Sequence, residues 1–177
     1  MKRVSAWLLL LSMIFALAGC AAEEITPPPA LGLLEMERAS YIAAGMEIQL
    51  PTEFKSLEGT GYTVCYEAST AAVFALRESF DLAEGVADLT LAEYADLVRV
   101  ANSSKSPSEV KEEEGLLLIE YTYFVETQNA DYVYLTTMFK TSDAFWMIQF
   151  TCQKENYEAY RPHFIEWAKS VTFAPAA

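Results

Sequence analysis

The chain has 177 residues, enough for one ordinary domain, and carries a formal net charge of −13 at pH 7. That acidity excludes nucleic acid as a partner, because its phosphates need Lys and Arg for neutralisation, and it excludes polybasic attachment to a membrane surface. Strong like charge also favours a soluble monomer, and the abundant, evenly spread aromatics point to a packed core and not to disorder.

The chain opens Met1-Lys2-Arg3, two cations ahead of the apolar run 4–16 (VSAWLLLLSMIFA). A permanent membrane span needs about 20 apolar residues, so this shorter run reads as the h-region of an export signal. Leu17-Ala18-Gly19-Cys20 follows at once and resembles the lipobox of bacterial lipoproteins. The resemblance implies cleavage before Cys20 and a diacylglycerol thioether on its sulfur. Residues 1–19 are then the signal peptide, 20–34 the lipidated cysteine and Pro-rich tether, and 35–177 the globular domain. Loss of Lys2 and Arg3 takes the charge from −13 to −15. One acyl chain anchors only marginally, but the lipoprotein modification supplies at least two. The expected location is therefore extracytoplasmic, with the bacterial cell membrane as a partner through Cys20.

Three prolines at 27–29 stand the domain off that membrane in an extended conformation. Residues 33–38 have helical composition, and 40–42 resemble a strand. After Gly45, residues 46–50 (MEIQL) alternate with period two up to Pro51, a strand signal. Residues 62–67 and 71–80 form the next two strands across a turn at 67–70. A helix starts at Thr90: Thr90 and Glu93 have capping-box spacing, and Leu89 and Tyr94 occupy staple positions. Leu91, Tyr94, Ala95, Val98 and Ala101 fall on one face of that helix, which ends near Asn102-Ser103. Residues 109–114 enter a hairpin that turns at Glu114-Gly115. Residues 116–126 and 131–141 pair as long strands. Residues 144–152 (AFWMIQFTC) are apolar on both faces, which places this strand centrally with both faces covered. Trp146 is accordingly expected in the core. A helix over 154–170 carries Pro162, which kinks it or begins a second helix, and residues 171–173 return as a short edge strand.

This order of elements, with MEIQLP ahead of Phe54 and FWMIQF ahead of an amphipathic helix and Ser170-Val171-Thr172-Phe173, resembles the PsbP-like superfamily over residues 40–173. That superfamily also holds a Ran-binding nuclear-transport factor and bacterial lipoproteins. The resemblance implies an α+β fold: one antiparallel sheet of about six strands with helices packed on both faces. It implies no single function, and no motif of functional residues carries over.

The residues themselves offer little chemistry. His163 is the only histidine, sits on the last helix, and has no nucleophile signature beside it. It reads as a surface or half-buried helix residue. Cys65 and Cys152 lack C-x-x-C spacing and read as free buried thiols. No metal or other cofactor is implied, since zinc needs more His and Cys and the acidic loop Asp81, Glu84 and Asp88 around Gly85 lacks the EF-hand pattern. Glu112-Glu113-Glu114 reads as a solvated turn, and Gly59-Thr60-Gly61 is too short for a nucleotide loop. Tyr121, Tyr123, Tyr132 and Tyr134 share a sheet face as cross-strand pairs; uncovered, that face would suit a glycan or a protein. The expected role is a non-enzymatic domain that binds a protein or envelope component, with a small-ligand or glycan-binding lipoprotein as the alternative. A concave aromatic pocket of a few hundred Å3 would favour the alternative.

Overall fold

The computed structural model describes residues 32–82 and 84–175. The signal segment, Cys20 and the proline tether lie outside the described residues. Gly32–Glu35 make a short 3-10 turn that seats Leu33 in the core, so packing begins directly after the Pro-rich stretch. Strands β1 (Arg38–Ala43) and β2 (Met46–Pro51) form an antiparallel hairpin. Ala44 and Gly45 both take positive φ at its turn, the twist that a two-residue hairpin demands.

Next come β3 (Lys55–Ser56), β4 (Val64–Glu67) and β5 (Ala71–Ser79), then helix α1 (Leu91–Ala101). β6 (Lys111–Glu113), β7 (Leu116–Val125), β8 (Ala130–Lys140) and β9 (Ala144–Gln153) follow, before helix α2 (Tyr157–Lys169) and β10 (Thr172–Phe173). Seven strands form one antiparallel sheet in the order β3-β4-β5-β9-β8-β7-β6, and β1-β2-β10 form a second. β9 is the middle strand of the seven, as its two-sided apolar sequence requires.

The α+β class and helices on both faces agree with the reading of the sequence, but the sheet count is corrected. One sheet of about six strands becomes a sheet of seven and a sheet of three. β2 is paired by β1 on one edge and by β10 on the other, so the first hairpin never joins the large sheet. It packs over one face of the large sheet instead, beside α2.

That face is dry. Met46, Ile48 and Leu50 of β2, Trp146, Ile148 and Phe150 of β9, and Tyr160, Phe164 and Trp167 of α2 belong to one buried cluster. The Phe150 and Phe164 ring centroids lie 5.6 Å apart, and Trp146 meets Phe173 of β10 at 5.1 Å. Trp146 is 2% exposed, in agreement with its expected core position. α2 runs through Pro162 as one helix. The proline is exposed, while Tyr160 and Phe164 on either side of it are anchored in the core. The lost backbone bond is therefore offset by burial.

The opposite face carries α1. Thr90 and Glu93 form the expected reciprocal cap: Glu93 N–H donates to Thr90 Oγ1 at 3.2 Å, and Thr90 N–H donates to Glu93 Oε2 at 2.8 Å. Tyr94 and Ala95 pack on Ile119, Met138 and Phe145. The Tyr94 and Phe145 rings stack with centroids 4.2 Å apart. The two cysteines are buried and free, as expected. They also lie on opposite faces: Cys65 is opposite Phe74 on the α1 side, whereas Cys152 belongs to the α2-side core. Burial pushes the Cys152 thiol up to about 12.

Candidate functional site

α1 packs mainly over β7 and β8 and reaches β9 and β5 through Tyr94, which stacks on Phe145 and bonds Glu78, so the strip over β5 and β9 is only partly covered. Between α1, this strip and the segment before α1 lies a cleft of about 450 Å3. Leu76 of β5 and Met147 of β9 make its floor. Val86 and Leu89 wall it on one side, and Leu97 and Val98 of α1 on the other. Two leucines stand at its lips, Leu82 at 70% exposure and Leu97 at 54%. Period-two alternation along β5 turns Leu76 and Glu78 to this side, while Val73 and Ala75 enter the opposite core.

Among the described residues, Glu78 is the one carboxylate lining the cleft. Tyr94 Oη donates a hydrogen bond to Glu78 Oε2. Burial first, then the Glu78 carboxylate, raises the Tyr94 phenol well above its ordinary range, so at neutral pH it is a proton donor only. The carboxylate stays in the cleft with its other oxygen available. The chain segment around it is acidic as well. From Glu78 to Val98 the chain carries six carboxylates and no Lys or Arg, and Asp81, Glu84, Asp88, Glu93 and Asp96 are exposed.

Farther along the same face the expected tyrosine pairs are present. Tyr121 is opposite Tyr134 and Tyr123 opposite Tyr132. The first pair stacks with centroids 5.0 Å apart. Gln149 donates to Tyr121 Oη at 2.9 Å and to Thr136 Oγ1 at 3.2 Å. The Lys105 ammonium lies 5.1 Å from the Tyr121 ring centre and 5.6 Å from that of Tyr123. Burial lowers the pKa of that ammonium. Tyr121 is buried and Tyr123 half exposed, so this ladder is cross-strand packing that opens only at one end.

The remaining candidates fall into structural roles. Glu113 and Glu120 both pair with Arg161 of α2, at 2.7 and 2.9 Å, and Glu114 pairs with Lys169 at 2.7 Å. The Arg161 hydrogen bonds hold the Glu113 carboxyl below its ordinary value. The Glu112-Glu113-Glu114 turn is thus tied to α2 and is not simply solvated. His163 is partly exposed, with Nδ1 3.9 Å from Glu166 Oε2, and Glu166 is itself paired with Arg38 at 2.6 Å. Asp81, Glu84 and Asp88 do not converge as a metal site; they are exposed on the segment that carries the cleft residues Leu82, Val86 and Leu89. Among the described residues no three His, Cys, Asp or Glu side chains come together as a metal site. No described helix is long and apolar enough to cross a membrane.

No family model matches the sequence, and no curated protein does. Solved structures do match. The chain is similar to the cyanobacterial PsbP protein, CyanoP, of Synechocystis sp. PCC 6803, with a TM-score of 0.54 and 11% identity over 89% of this chain and 99% of that one. The fold is PsbP-like. A second match is the Ran-binding protein Mog1p of Saccharomyces cerevisiae, with a TM-score of 0.50 and 7% identity over 80% of this chain and 97% of that one. At such identities the shared property is the PsbP-like fold alone, and the cleft must be argued from its own residues.

The cleft itself was not foreseen from the sequence. Its signals were present: Leu97 and Val100 lie off the apolar face of α1, and Leu82 interrupts an acidic loop. Only the neighbouring strands show that Leu82 and Leu97 border one hollow.

Proposed function

We propose that this protein is a lipid-anchored, extracytoplasmic binding domain that docks a protein or envelope component in the α1 cleft and performs no catalysis. Residues 1–19 are removed, lipid on Cys20 holds the chain at the membrane, and residues 20–34 space the domain from it. One observation carries the binding role: an open hollow with an aliphatic floor and two exposed leucines at its lips. A soluble domain rarely leaves leucines gathered around a cavity of this size unless something covers them. The cleft's two titratable groups, Glu78 and Tyr94, are bonded to each other, which suits recognition better than proton transfer. The PsbP-like relatives include a protein named for binding Ran, in keeping with binding on this scaffold.

The alternative, a small ligand or glycan on the tyrosine ladder, is favoured by the half-exposed Tyr123 alone. The cleft has a ligand-sized volume, but its walls are mainly aliphatic, and Tyr121 Oη already accepts from Gln149.

The test is crosslinking in native membranes with a photoreactive residue at Leu97 or, separately, at Tyr123. A protein adduct through Leu97 is expected. Adducts through Tyr123 alone would transfer the role to the tyrosine ladder. In parallel, Cys20→Ala is expected to abolish lipid labelling and leave unprocessed precursor; normal processing and membrane retention of that variant would remove the anchor from this reading.

A further inference from the structure

We infer that the occupant of the cleft is a basic amphipathic segment of a partner protein, its apolar side chains in the hollow and one of its Lys or Arg side chains on Glu78. This rests on the binding role proposed above and names the chemistry of the partner.

The argument is one of charge complementarity around an apolar hollow. The floor and walls, Leu76, Met147, Val86 and Leu97, fit aliphatic side chains. The segment that walls the cleft is predominantly acidic: Asp81, Glu84 and Asp88 are exposed and form no ion pair among the described residues, and Asp96 and Glu93 add to the same field, against which Lys140 is a nearby cation. The cations nearest in the fold are already engaged. Arg77 pairs with Asp143 at 2.6 Å, and Arg99 with Asp96 at 2.9 Å. Lys140 donates to the carbonyls of Ala87 and Leu89 at 2.8 and 2.6 Å. Inside the hollow, Glu78 has one oxygen bonded to Tyr94 and presents the other to whatever enters. A carboxylate amid aliphatic walls gains most from a cation that brings its own hydrogen-bond donors.

Other occupants fit less well. An anionic lipid surface meets a segment of its own sign. A second mature copy brings another chain of net charge −15, after loss of Lys2 and Arg3 from −13. The tether 20–34 carries Glu23 and Glu24 and no cation.

The experiment uses the full chain in phosphatidylcholine nanodiscs and three fluorescent amphipathic peptides of one length, in which the polar face is Lys, Gln or Glu. Binding is read by anisotropy, with empty nanodiscs as background. The Lys peptide is expected to bind at least about tenfold more tightly than the Gln peptide, with Glu78→Gln removing about tenfold of its affinity and the Glu peptide weakest. Leu97→Lys is expected to weaken both the Lys and the Gln peptide; Leu82→Lys, at the other lip, serves if that variant fails to fold. Equal binding of Lys and Gln peptides, both lost in the lip variant, overturns the basic partner and leaves the cleft as a binding site. An unaltered Lys-peptide affinity in Glu78→Gln overturns the contact assigned to Glu78. Failure of all three peptides to bind, or binding that the lip variants do not alter, overturns the cleft itself.

Discussion

On the α2 face of the large sheet, a helix of 13 residues shares the surface with a three-stranded sheet, and the layer between them is sealed. On the other face a helix of 11 residues is helped only by the loop residues Phe80, Val86, Leu89 and Val110. Seven strands spaced at about 4.8 Å span roughly 29 Å, whereas one helix with its side chains is about 10 Å wide. One helix therefore cannot close this side, and the partly covered strip over β5 and β9 becomes the cleft. The lesson is geometric: the sealed face stores the stability, and the face with too few covering elements holds the open hollow for which a binding role is proposed.

The sharpest way to break this comparison is on the sealed side. Trp146→Ala should cost about 3–5 kcal/mol out of a total of about 5–15 kcal/mol, and so lower the melting temperature by about 6–20 °C, at about 2–4 °C per kcal/mol. A near-native melting temperature for Trp146→Ala would contradict the sealed core.

The next effect concerns the Arg161 pairs that fasten α2 to β6 and β7. Arg161→Met leaves Glu113 and Glu120 without their cation and should cost about 1–2 kcal/mol at pH 7. The folded Glu113 pKa is depressed, so its contribution is fully present above the ordinary carboxylate range and is lost as pH falls through the depressed folded value. The stability gap between wild type and Arg161→Met should therefore be widest at neutral pH and narrow below about pH 4, the ordinary Glu range. Urea melts at several pH values measure this, and a gap that stays constant down to the acid limit would count against the ion pair.

On the open side the expected effects are smaller. Thr90→Ala removes the reciprocal cap and should destabilise by about 1 kcal/mol. Hydrogen exchange in the first turn of α1 should rise before that of β9, because α1 is held to the sheet by a smaller cluster than α2. Equal protection of both would show that the two faces are equally sealed. Smallest of all, Leu97→Ser should change stability by no more than about 0.5 kcal/mol, since the side chain is mostly exposed. A loss comparable to that of Trp146→Ala would mean that Leu97 is core and that no cleft exists beside it.

Legibility in the sequence followed the range of the interactions. The cap at Thr90 and Glu93 and the turns at Gly45 and Gly115 involve residues one to three apart, so their geometry is written locally. β9 was legible for a different reason: a strand apolar on both sides has only one place to go. Pro162 misled in part, because helix propensity is local while the anchoring of Tyr160 and Phe164 is not. The large and small sheets were not separable, since the period-two pattern of β2 shows that one face is buried and not which sheet it joins. The cleft was the least legible feature. Its lips, Leu82 and Leu97, are 15 positions apart, and its floor residues, Leu76 and Met147, are brought together only by the β5–β9 register.

By itself, then, the sequence determined the longer elements, their order, the acidity of residues 78–98 and the core position of Trp146, but not the short strands Lys55–Ser56 and Lys111–Glu113, because each of the former depends on neighbours along the chain or on burial of an unmistakably apolar run. Only the tertiary structure decided that β2 pairs with β10, that Cys65 and Cys152 face opposite ways, and that α1 leaves a strip of the sheet only partly covered. Those outcomes depend on strand register and on how many layers are available to cover a wide sheet, and neither quantity is carried by any local pattern of residues.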